Sequence, residues 1–255
     1  MSEHDTAPQS AQTTQPAPTT QPAHRCRTVF FDVGQTLLTP AISEATVFTE
    51  AAARVGVTLD PADVERHMPA VYRHYEELYE EDDTFWSDDT RATQIWIEMY
   101  RYLCELVGLG EHGLAIGTLV HERYFTAASW KPYDEVIPTL EALQRRGIRM
   151  GLISNWDSSL EDVITGLGMS RFFSVIISSA VVRLHKPMPE IFELALERMG
   201  AVPEESMHVG DHLYADVAGA RQAGITPVYL DRDGSGGGDA GLIRIEGLDG
   251  LLSII

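Results

Sequence analysis

Four short stretches of the chain carry side chains whose types could do chemistry together. They are FDVGQTL, with Asp32 and Thr36; LISNWD, with Ser154 and Asn155; RLHKPMPEIF, with Lys186; and HVGDHLYAD, with Asp211 and Asp216. A carboxylate delivered by the end of an apolar run can attack an electrophile, help to hold a divalent cation, or merely cap a turn, and for one isolated Asp the turn is the commoner reading. Asp32 closes the run Val29, Phe30, Phe31, yet no second acid follows it within the next few residues. Lys186 is one of only two lysines, the other being Lys131. His185, His208 and His212 show no helical or hairpin pairing, so they read as packing or hydrogen-bonding residues rather than metal ligands.

The elements that must position these groups alternate along the second half of the chain. TVFFDV is a short, continuous apolar run, as expected of a strand buried on both faces. Residues 133–147 place Val136, Ile137, Leu140 and Leu143 at helical spacing and end on a Gly suited to a left-handed cap. Strands are expected over 148–154, 172–178, 206–211 and 225–231. Helices are expected after Ser158 and Ser159, over 189–200 with Pro in the first turn, and over 214–224. Repeated strand–helix–strand units with right-handed crossovers give an α/β fold with a doubly wound, parallel, Rossmann-like sheet, whose site lies at the carboxyl ends of the strands.

Residues 41–130 break that rhythm with helical stretches at 43–55, 61–80, 88–107 and 113–125, the second starting from an Asp60 N-cap and Pro61. They read as an inserted α-helical cap, which would sit over the strand ends as a lid. The cap holds 17 acidic and 6 basic residues. The core domain is then 26–40 with 131–255. Residues 1–25, rich in Thr, Gln, Pro and Ala, read as a disordered tail without the apolar segment of a signal peptide. The net charge of −19 disfavours nucleic acid, no stretch approaches a membrane span, and Cys26 with Cys104 suggests reduced residues of a cytoplasmic protein. The aromatic group Tyr72, Tyr75, Tyr79, Phe85, Trp86 and Trp96 reads first as lid core and second as substrate contact.

In this order and spacing the four stretches closely resemble the haloacid dehalogenase-like (HAD) hydrolase superfamily, in the branch with a helical cap after the first motif. Over roughly residues 27–232 the chain is most similar to the haloacid dehalogenase-like hydrolase domain-containing phosphatase group. The resemblance implies Asp32 as the nucleophile that forms an aspartyl phosphate, with Lys186 pairing Asp32 and the phosphate. It implies Mg²⁺ held by Asp32, the Gly34 carbonyl and Asp211, with Asp216 in support. It also implies Thr36, Ser154, Asn155 and Lys186 around the phosphoryl oxygens, and a small phosphate ester or acyl phosphate as substrate.

The departure from the family is at Gly34, followed by Gln35 where a Gly is usual. Many phosphatase members carry at position 34 a second Asp that protonates the leaving group, a role worth ~10² to 10⁴ in rate. A 2-haloacid dehalogenase, using Asp32 without metal, is the alternative, but that subfamily usually carries Tyr at position 34 and lacks the acid pair matched here by Asp211 and Asp216. A non-catalytic binding protein on the same fold is the third reading. Phosphonate cleavage needs a cap lysine, and residues 40–130 contain none. The stretch 234–241 follows no strand and precedes no evident helix, so it reads as a flexible loop and not as a phosphate cradle.

Overall fold

The computed structural model describes residues 26–234, 236 and 241–255. The expected N-terminal tail lies outside the described residues, as does most of the glycine-rich 234–241 loop. Strand β1 (Thr28–Phe31) is followed by a short ribbon, β2 (Leu38–Pro40) antiparallel to β3 (Trp130–Pro132). Between β2 and β3 lie helices α1 (Glu44–Arg54), α2 (Pro61–Glu65), α3 (Met68–Glu81), α4 (Asp89–Leu106) and α5 (Gly113–Tyr124). The chain continues through α6 (Val136–Arg145), β4 (Arg149–Ser154), α7 (Leu160–Gly166), β5 (Val175–Ser178), α8 (Ser179–Val182) and α9 (Pro189–Met199). It ends with β6 (Ser206–Gly210), a π-helical turn at Leu213–Ala218 leading into α10 (Gly219–Gln222), β7 (Thr226–Leu230) and β8 (Ile243–Ile245).

Six strands form one parallel sheet in the order β5–β4–β1–β6–β7–β8. β1 sits at its centre, with Phe31 in register with Leu152 of β4 and Val209 of β6. Because side chains alternate across a strand, Phe30 joins Ile153, Ile177 and Phe192 of α9 in one buried cluster, while Val29 and Phe31 join Leu152, Val209 and Val228 in another. The second cluster runs on into the helical segment through Phe48, Tyr100 and Ile116. Burying each such side chain is worth ~1.5–3 kcal/mol, so sheet and helical segment share one source of stability.

Several boundaries differ from the sequence reading for local reasons. The helix expected over 61–80 is two: Asp60 caps α2 through the Ala62 N–H, and the chain restarts at α3, where Pro69 occupies the first turn and cannot supply an interior N–H. The strand expected over 172–178 begins only at Val175, after a 3₁₀ turn at Ser170–Phe172. The helix expected over 214–224 is the π-helical turn plus one turn of α-helix, and β8 was not anticipated. Ser43 and Asp88 cap α1 and α4 through the N–H groups of Thr46 and Arg91. Among the described residues no helix is long and apolar enough to cross a membrane.

α10 packs against the loop that carries Lys186. A Cβ on Gly219 would stand 2.6 Å from the Phe192 ring and 3.0 Å from Pro187 Cα. Gly219→Ala gains up to ~1 kcal/mol of helix propensity but overpacks this contact at ~1–3 kcal/mol. Net destabilisation in urea unfolding is the expected outcome, and a raised midpoint would show that Phe192 has room to move.

Candidate active site

The sheet delivers the four stretches to one edge. Asp32 directly follows β1, and its N–H donates to the Val209 carbonyl at 2.9 Å, extending the β1–β6 pairing by one residue. The chain then reverses tightly: Leu37 and Leu38 N–H groups both donate to the Val33 carbonyl at 2.9 Å, and Thr36 N–H donates to the Gly34 carbonyl at 2.6 Å. Gln35 lies in the left-handed region, with φ 55°. That conformation costs a non-glycine residue ~1–2 kcal/mol, and specific contacts offset it. Tyr133 donates to Gln35 Oε1 at 2.8 Å, and Arg232 donates to the Gln35 and Thr36 carbonyls at 3.0 and 2.8 Å. The Arg232 guanidinium lies 3.7 Å from the Tyr133 ring centre and pairs with Glu135 at 2.7 Å.

Lys186 is the hub of the site. Its ammonium donates to Asp32 Oδ1 at 2.5 Å and Asp216 Oδ1 at 2.6 Å, and it is 2% exposed. Ser154, the last residue of β4, donates to the same Asp32 oxygen at 3.0 Å. Asp216 also accepts from the buried His208 ring at 2.8 Å and from the His212 N–H at 3.1 Å. Its carboxylate folds over Gly210, where a Cβ would stand 2.2 Å away, so the glycine makes room for the acid. Burial pushes the Asp32 pKa up, opposed by the Lys186 charge. Burial also acts on Asp216, but there Lys186 and His208 prevail and hold it below the usual carboxylate range. Burial pulls Lys186 down while Asp216 and Asp32 more than restore it, so it stays charged.

Asp32, Asp211 and Asp216 each place one carboxylate oxygen within 4.8 Å of the others. Burial, then the negative charges of Asp32 and Asp216, push Asp211 up to about 7. Hard oxygen donors bearing uncompensated negative charge suit Mg²⁺. The Gly34 carbonyl accepts from Thr36 and keeps a second lone pair for such an ion.

Asp32, Gly34, Ser154, Asn155, Lys186, Asp211 and Asp216 all line one cavity of about 360 Å³. Two of the residues expected around the phosphoryl oxygens are differently engaged. Thr36 is fully buried and donates to Asp211 Oδ1 at 2.9 Å. Both amide atoms of Asn155 grip the Lys186 backbone, donating to its carbonyl at 3.0 Å and accepting from its N–H at 2.8 Å. These side chains therefore hold Asp211 and the Lys186 loop.

Much of the remaining lining is aromatic. Tyr72, Tyr75, Tyr79, Trp86 and Trp96 of the expected group line it, while Phe85 packs behind among Tyr75, Tyr79 and Trp86. Sequence reading missed Glu44, Tyr124, Trp130 and Trp156. Only Trp156 carried a local signal, as the aromatic residue two positions after the strand-end Ser154. The other three come from the helical segment and the ribbon, where periodicity does not distinguish a cavity wall from a core.

A family model described as haloacid dehalogenase-like hydrolase matches residues 26–224. The chain belongs to that family and is a hydrolase of it. It is similar to haloacid dehalogenase-like hydrolase domain-containing protein 3 of Danio rerio, at 29% identity over 208 residues that cover 81% of this chain and 85% of the relative. A phosphoserine phosphatase from Thermus thermophilus is 38% identical over 101 residues, 39% of this chain and 41% of that one. A solved structure of a putative HAD-hydrolase from Bacillus subtilis, bound to magnesium, superposes with a TM-score of 0.73 at 20% identity, over 90% of this chain and 98% of that one.

Two predictions follow from the charges. Removing one partner of a buried ion pair leaves the other uncompensated, so Lys186→Met should lower unfolding stability by ~3–5 kcal/mol; a loss below ~1 kcal/mol would mean that water compensates the two carboxylates. Asp211 has its pKa pushed up to about 7 in the folded protein, from an ordinary 3.8. A raised carboxyl pKa means that its stabilising contribution is complete below pH ~4 and is lost as pH rises towards ~7. In EDTA the wild type should lose stability across that window by an amount on the order of a few kcal/mol. Asp211→Asn should flatten the slope, and an unchanged slope in chemical unfolding from pH 5 to 8 would show that Asp211 titrates normally.

Proposed function

We propose that the chain is a Mg²⁺-dependent phosphatase of small phosphorylated metabolites, acting through an aspartyl phosphate on Asp32. The observation that carries the reading is the buried Lys186 ammonium shared by Asp32 and Asp216, with Asp211 beside them. Asp32, Asp211 and the Gly34 carbonyl would hold the ion, with Asp216 in support; when bound, it offsets the negative charge that otherwise repels a phosphate. Lys186 and Ser154 both bond to Asp32 Oδ1, so Oδ2 is assigned to attack. Its electron pair forms the O–P bond as the P–O bond to the leaving group breaks, and the departing oxygen takes a proton from solvent. Water then attacks the phosphorylated Asp32, releasing inorganic phosphate and restoring the carboxylate. Ser154, the backbone about Asn155 and the Lys186 charge stabilise the phosphoryl oxygens, while Thr36 and the Asn155 side chain position Asp211 and Lys186.

Residues 41–130 act in this reading as a cap that closes the cavity against water. The free cysteines fit a cytoplasmic enzyme, and the charge of −19 leaves nucleic acid aside. The similarity to a phosphoserine phosphatase over part of the chain supports the reaction class.

With Gly34 in place of an acid, departure of the leaving group limits turnover. Aryl and acyl phosphates should be hydrolysed much faster than alkyl phosphates, in a Mg²⁺-dependent and Asp32-dependent manner. Gly34 is outside the left-handed region, and a Cβ there would meet only the Trp156 ring, at 3.7 Å. Gly34→Asp should therefore fold and raise alkyl-phosphate turnover selectively, within the ~10²–10⁴ typical of a general acid. Equal wild-type rates on aryl and alkyl esters would show that another group supplies the proton. Asp32-dependent halide release from a 2-haloacid, with no phosphatase activity, would make the chain a dehalogenase.

A further inference from the structure

The leaving-group half of the cavity is built for a positive charge. Its aromatic wall starts at Trp156, beside Gly34, and continues through Trp130, Tyr124 and Trp96 with successive ring centres 4.8, 5.6 and 6.4 Å apart. Glu44, from the first turn of α1, lines the same cavity and accepts from the Tyr72 hydroxyl at 3.0 Å. Tyr124 is 6% exposed, and its hydroxyl has no hydrogen-bond partner among the described residues. The Glu44 charge adds to burial in pushing up the hydroxyl pKa of both Tyr72 and Tyr124, which places the carboxylate and both phenols in one electrostatic neighbourhood.

Among the described residues no Lys or Arg lines that half of the cavity; Arg123, beside Tyr124 in α5 but not in the lining, only partly offsets the Glu44 charge on the Tyr124 hydroxyl. Lys186 is the only Lys or Arg among the described residues that line the cavity, and that ammonium is taken by Asp32 and Asp216. His121, the histidine on that wall, is pulled below its usual pKa, mainly by burial, and favours the neutral form. A second anionic group on the substrate would meet Glu44 and ring faces with nothing to pair it. An ammonium would meet aromatic rings, an unpaired hydroxyl oxygen and Glu44, whose carboxyl pKa is raised by burial and would be drawn back down by an arriving positive charge, a combination that suits organic cations.

Resting on the phosphatase reading, we propose that this wall is the leaving-group subsite and that it takes phosphomonoesters of alcohols bearing a quaternary or protonated ammonium. Such substrates also suit position 34. An ammonium two carbons from the ester oxygen withdraws electrons and makes the alcohol easier to expel without a general acid.

The test compares phosphocholine with its uncharged isostere 3,3-dimethylbutyl phosphate and with phosphoglycolate, using the full-length protein with Mg²⁺. Phosphocholine should be preferred over the isostere by about 10-fold or more in kcat/KM, with phosphoglycolate poorest. Glu44→Gln should bring the phosphocholine-to-isostere ratio down severalfold; because intrinsic leaving-group differences are the same in both proteins, the change in ratio reports the subsite alone. A wild-type ratio near one, or a preference for phosphoglycolate, overturns the proposal. Choline and 3,3-dimethylbutanol are also titrated against tryptophan fluorescence, which needs no turnover. Saturable quenching by choline alone, weakened in folded Glu44→Gln, supports the subsite even if p-nitrophenyl phosphate is not hydrolysed, an outcome that would remove only the phosphatase reading. Equal quenching by both alcohols, or none, removes the cation subsite whatever the hydrolysis shows.

Discussion

Everything at the carboxyl end of the sheet is arranged around one buried ammonium. Lys186 is 2% exposed and binds Asp32 and Asp216 at 2.5 and 2.6 Å. Taking such charges out of water costs several kcal/mol per ion, and the pairing repays that cost only when further hydrogen bonds satisfy the same groups. Ser154 supplies one to Asp32, and His208 and the His212 N–H supply two to Asp216. The clasp of Asn155 on the Lys186 backbone then fixes the loop from which the ammonium reaches. One lysine therefore ties its own loop to three other stretches of chain.

The charge balance of the cluster explains why a divalent cation suits it. With all three acids ionised, Asp32, Asp211 and Asp216 against Lys186 leave a net −2 in a buried pocket. Asp211 carries the imbalance: among the described residues it has no ion-pair partner and its side chain accepts from the Thr36 hydroxyl alone, and its pKa rises to about 7. Binding a divalent ion would remove the repulsion that holds the pKa there. Metal affinity and the protonation of Asp211 are in this way opposite sides of one equilibrium.

Five of the six strands were legible in the sequence as short apolar runs that end on or just before Gly, Asp or Ser, and three of the polar motifs stand at such ends; β8 carries no such mark. Asp32, Ser154 and Asp211 converge as their positions at strand ends required, and Lys186 joins them from the loop between α8 and α9. What each hydroxyl and amide touches was not legible. Thr36 and Asn155 have the right chemistry to meet a phosphate, but Thr36 turns inward to Asp211 and Asn155 turns to a backbone, choices set by a tight turn and a loop that periodicity does not describe. The split between α2 and α3 was marked by Pro69, whereas the π-helical turn at Leu213–Ala218 had no such mark, since it depends on packing Asp216 over Gly210.

Position 34 links the catalytic loop to the aromatic wall. The Trp156 ring stands 3.7 Å from where a Cβ at Gly34 would be, so the wall proposed for the leaving group begins beside the point from which a general acid would reach it. An acid there would carry its carboxyl past the indole and add a negative charge close to Asp32 and Asp211, which already repel each other. The glycine avoids that repulsion and leaves the indole face to the substrate. In the proposed function the consequence would be selectivity by leaving group: a site without the acid would depend on substrates whose alcohol departs readily, and an aromatic wall with Glu44 at its far side would favour alcohols activated by a nearby positive charge. The glycine at position 34 and the aromatic wall with Glu44 therefore bear, in that function, on one property, the ease with which the alcohol departs.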